Sequence, residues 1–155
     1  MSTNIQEIKN LSIGFKSQKG EQISILRNIT TNVRKGETVG IVGESGSGKS
    51  TLALAMMGYI KQGLFTTGGE CFFKSLDLLK LNNKELVEIR GRKIAMIPQN
   101  AGQALTPNLK IGYQIEEALK LHTDFNKVER EQKISELLNQ VRLPSPKIMA
   151  LRYPH

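Results

Sequence analysis

The sequence lacks several things, and each absence closes off a class of protein. There is no tryptophan, aromatics make up 5% of the chain, and a single cysteine, Cys71, rules out an internal disulfide. That lone thiol sits in the apolar run Cys71-Phe72-Phe73 and reads as a small core residue rather than a reactive group. No apolar run approaches the roughly 20 residues that a membrane-spanning helix needs; the longest candidate is Thr51–Ile60. The polar start, Met1 to Asn10, does not resemble a secretory signal, and with the lone cysteine it leads us to expect a cytoplasmic protein. The formal charge is +8, yet no run of five like charges occurs, and no aromatics interleave with the lysines and arginines. A scattered basic surface of that kind is a solvated face, so nucleic acid is not expected as a partner.

What is present is a chain of 155 residues, 39% hydrophobic, long enough for one domain with a real core. The first part reads as strands: Ile5 to Phe15 and Ile23 to Ile29, separated by the turn-prone Ser17–Glu21. After Lys35-Gly36, the short run Thr38–Val42 predicts a strand buried on both faces, as in a parallel sheet. Lys49 to Gly58 predicts a helix, Gly68 to Phe73 another strand, and Asn82 or Asn83 a cap for a helix to about Arg90. Ile94–Ile97 is a second short apolar strand ended by Pro98, and a polar loop follows to Asn108. Two amphipathic helices come next, one carrying Ile111, Ile115, Ala118 and Leu119, the other Val128, Ile134, Leu137, Leu138 and Val141, with Pro144 and Pro146 ending the second.

Between the predicted strand 38–42 and the predicted helix lies Gly43-Glu44-Ser45-Gly46-Ser47-Gly48-Lys49-Ser50, which fits G-x-x-x-x-G-K-[ST] at every position. Glycines let the backbone wrap closely around an anion, and the freed N–H groups meet phosphates where the helix begins. Lys49 then neutralises the β- and γ-phosphates, and the Ser50 hydroxyl holds Mg²⁺. Thr51 completes the set. The expected ligand is ATP with magnesium.

The wording around the loop is similar to more than a generic phosphate binder. Arg34-Lys-Gly-Glu37 followed by Gly40–Thr51 resembles the start of an ABC transporter ATPase. Fifty positions past Lys49, Ile94-Ala-Met-Ile-Pro-Gln99-Asn resembles that family's Q-loop, and Ala104–Leu109 with Ile111–Ile115 resembles the opening of its helical subdomain. The wording is nearest to the oligopeptide, dipeptide and nickel importer branch. The resemblance implies an α/β P-loop NTPase fold of ABC type, present in part. Residues 1–42 would form a β-rich subdomain and core strand, 43–99 would run from Walker A to Q-loop, and 100–155 would begin the helical subdomain. It implies that Gln99 senses Mg²⁺ and the γ-phosphate and links the site to a membrane partner, and that Phe15 stacks on adenine. It further implies transmembrane permease subunits and a second ATP-binding subunit as partners, on the inner face of the membrane.

The same resemblance marks what the sequence does not contain. No Leu-Ser-Gly-Gly-Gln signature, no acidic Walker B strand and no switch histidine occur; His155 is terminal. Phosphoryl transfer needs a group that orients the attacking water, so negligible hydrolysis by this chain alone is expected. A non-catalytic nucleotide-binding fragment is the alternative. Without a neighbouring strand, 38–42 would present an apolar edge, and self-association is expected. A GTPase is disfavoured because no Asn-Lys-x-Asp tetrapeptide occurs.

Overall fold

The computed structural model describes residues 4–155, and within it the chain divides into two units, one running through Arg90 and one from Gly91 to His155. The first unit is built on a four-stranded antiparallel sheet in the order β2-β1-β3-β4, with β1 Asn4–Lys16, β2 Gln22–Arg34, β3 Leu64–Phe73 and β4 Leu76–Asp77. The β1–β2 hairpin closes at the turn expected from sequence. Ser17 N–H donates to Glu21 O at 2.8 Å, Gly20 N–H donates to Ser17 O at 2.9 Å, and Gly20 takes the left-handed conformation that its lack of a Cβ permits.

The core of this sheet changes phase partway along. Ile8 is buried at an even position, then Leu11 and Ile13 at odd ones. Asn10, at φ 50°, supplies the extra residue between them, and the pairing with both neighbouring strands shifts register there. Asn10 N–H donates to Thr30 Oγ1 and Asn28 N–H to Ser12 Oγ, so side chains replace the ladder bonds lost at the bulge. Gly69 faces it from β3; a Cβ there would meet Asn10 O at 2.4 Å. Cys71 is fully buried in the same core, and burial pushes its thiol up to about 11.

Helix α1 spans Lys49–Ala55 and ends in a turn to Gly58 at φ 70°, close to the expected limits. Helix α2, Asn83–Ile89, begins with a capping box. Asn82 Oδ1 accepts from Lys84 and Glu85 N–H, and Glu85 Oε2 accepts from Asn82 N–H. Leu86 and Ile89 are its buried face.

The second unit is helical: α3 Ala101–Ala104, α4 Ile111–His122, α5 Lys127–Gln140 and α6 Pro146–Ala150. Helices α4 and α5 form where the apolar periodicity places them, but of the expected α5 face only Ile134 and Leu138 are buried, Val128 and Val141 being exposed, and on α4 Ala118 is exposed; α5 starts with a second capping box, Asn126 with Glu129. Gln114 reaches back from α4 to hold the preceding turn, accepting from Thr106 N–H and donating to Thr106 O and Leu109 O. Gly112 lets α6 approach α4, since a Cβ there would lie 2.8 Å from Ala150 O. Helices α3 and α6 were not expected. Pro146 opens α6 rather than only ending what precedes it, which suits a first-turn position with no N–H to satisfy.

Two expectations need correction. Neither 38–42 nor 94–97 forms a strand; 38–42 and 95–97 lie in irregular backbone and Ile94 makes only an isolated bridge, with Val42 95% and Ile97 91% exposed. A parallel strand needs a neighbour brought in by a long crossover, and every strand pair among the described residues is antiparallel. These runs have the apolarity of strands, but no ladder forms on either of them among the described residues.

Candidate nucleotide-binding site

The loop 43–48 runs from the exposed segment 38–42 into α1. Gly46 at φ 82° and Gly48 at φ 90° turn the backbone through left-handed conformations, and Ser47 N–H donates back to Glu44 O at 3.2 Å. Gly48 is fixed from below: a Cβ there would meet Leu26 Cδ2 at 2.8 Å, so the loop's end rests on the buried β2 side chain. A Cβ on Gly43 would lie 2.8 Å from Ser47 Oγ, which makes Gly43 the other tight corner.

Lys49 closes the loop. Its ammonium donates to Gly43 O at 2.7 Å and Glu44 O at 2.6 Å, and lies 3.4 Å from Ser47 Oγ. An ammonium has three N–H donors. Two are committed to loop carbonyls, and the third, only weakly held by the Ser47 hydroxyl, remains for an anion. Gly48 caps α1 with no side-chain hydrogen bond, and no acidic side chain stands in the first turn. The helix N–H groups and the positive end of the dipole therefore face outward without an internal anion. Glu44, Ser45, Ser47 and Ser50 are exposed, and Lys49 and Thr51 are half-buried. This donor set fits the phosphates of a nucleotide. A magnesium ion would be held chiefly by those phosphates and the Ser50 hydroxyl, because among the described residues no cluster of three or more His, Cys, Asp or Glu could ligate it.

Of the other expected residues, Phe15 is half-buried near the end of β1, opposite Ile23 on β2 and Leu64 on β3. Gln99 lies in the second unit, exposed, in the irregular stretch after 94–97. The structure thus brings Gly43–Thr51 together as one loop, with Phe15 in the same unit. Sequence reasoning missed the floor under Gly48 and an arginine anchor behind α1. Arg90 Nε donates to Met57 O at 2.9 Å and its guanidinium sits 5.8 Å from the centre of the Tyr59 ring. A basic residue ending α2 carries no motif that would have announced this.

A glycine loop clamped by its own lysine at the start of a helix places the protein in the P-loop class. The comparison with known families then narrows the class. The sequence pattern of the ABC transporter family matches residues 26–153, and the chain belongs to that family. It is similar to the oligopeptide transport ATP-binding protein OppD of Bacillus subtilis, 39% identical across 99% of this chain and 43% of that protein. It is also similar to the dipeptide transport ATP-binding protein DppD of Lactococcus lactis, at 37% across 97% of this chain and 43% of the relative. The glutathione import ATP-binding protein GsiA of Salmonella paratyphi A is 36% identical across 99% of this chain and 26% of its own length. The chain spans less than half the length of these curated relatives. Among solved structures, the ATP-binding cassette MJ0796, a dimer in a post-hydrolysis state bound to ADP and Pi, superposes with a TM-score of 0.81. It is 29% identical, and the match covers 96% of this chain and 61% of that one. The fold is that of part of an ABC-type P-loop domain.

Proposed function

We propose that the chain is a portion of the ATP-binding subunit of an importer that takes up peptides, and that its own task is to hold the nucleotide. The observation that carries this reading is the Lys49 ammonium, fixed by Gly43 O and Glu44 O with its third donor on the long bond to the Ser47 hydroxyl. In this reading the loop N–H groups and Lys49 bind the ATP phosphates, and Ser50 with Gln99 attends the Mg²⁺. Thr51 lies at the start of the helix, and Phe15 stacks on the base. The division 1–42, 43–99 and 100–155 is the corresponding functional layout.

The family supports a nucleotide-driven transport role, and the names of similar proteins, covering oligopeptide, dipeptide and glutathione import, favour peptides over nickel as cargo. The partners are permease subunits and a second ATP-binding subunit at the inner membrane face; the dimeric structural neighbour supports the latter. No helix among the described residues is long and apolar enough to cross a membrane. In this reading ATP hydrolysis is the activity of the assembled system.

The test is uptake of a labelled oligopeptide by cells whose own copy carries Lys49→Ala. Uptake should fall to background while expression is unchanged; unaffected uptake would overturn the transport reading. Steady phosphate release by the isolated chain, abolished by Lys49→Ala, would overturn the view that it does not hydrolyse ATP alone.

A further inference from the structure

We draw no further inference here: the strongest candidate, the groove of about 900 Å³ between α4, α5 and α6 lined among others by Tyr113, Val128, Glu131, Lys147 and Leu151, sets exposed apolar side chains beside charges of both signs, and nothing in the structure shows what covers it.

Discussion

Two sets of apolar residues in this chain have met opposite fates. Ile8, Leu11 and Ile13 on β1 are 0–1% exposed, whereas Val42 and Ile97, in segments equally suited to strands, are almost wholly in solvent. Composition does not separate them; the distance to a partner does. β1 finds β2 through a five-residue turn and β3 through an antiparallel ladder. Segments 38–42 and 94–97 have the continuous apolarity of strands covered on both faces, and such strands depend on neighbours far along a chain. Local pairing completes itself, while parallel pairing waits for distant sequence.

The largest effect expected from this contrast is on assembly. With Val42 and Ile97 uncovered, the isolated chain should elute above its monomer size, and Val42→Asp with Ile97→Asp should return it to the monomer. A clean monomer of the parent chain with one sharp unfolding transition would break the comparison. Next comes stability. Ile13→Ala should cost about 2–5 kcal/mol, the usual range for truncating a buried aliphatic side chain, and Val42→Ala within about 0.5 kcal/mol. Cys71 supplies a direct readout, because its buried, neutral thiol should resist alkylating reagents in the folded chain and react once the sheet opens. Equal losses at the two positions would mean that 38–42 is paired in solution.

Smaller effects sharpen the picture for the locally built helices. Asn126→Ala removes the cap that accepts from Glu129 N–H and should lower stability by about 1 kcal/mol in thermal unfolding. The smallest effect involves Glu116, which sits between Lys120 and Arg130 and is held below the ordinary carboxylate range by hydrogen bonds to both. A lowered folded value means that its contribution is complete above the ordinary carboxylate value and fades as pH falls through the lowered one. The difference in melting temperature between parent and Glu116→Gln should therefore shrink on acidification. It should also shrink in high salt, because the group is solvent-accessible.

The same distinction explains what could be read from sequence. Where structure is local, the residues announced it: the turn at Ser17–Glu21, the cap at Asn82 or Asn83, the stop at Gly58, and the loop Gly43–Thr51, which is contiguous in the chain. The bulge at Asn10 escaped notice because its signal is a phase change that only a buried face reveals, and Gly69 across the ladder carries the other half of it. The strands at 38–42 and 94–97 were over-read because apolarity reports a need for burial and not the presence of a partner. Leu26 under Gly48 and Arg90 beside Tyr59 were invisible because both act through tertiary contact.

The measurement that bears most directly on the central claim is a titration of the full chain with Mg·ATP, read by calorimetry, beside the same titration of Lys49→Ala. The clamped ammonium predicts saturable one-site binding by the parent and a loss on the order of 100-fold in the variant, as expected for removing a charged donor from a phosphate. Equal affinities, or no saturable binding by a folded parent chain, would contradict the account.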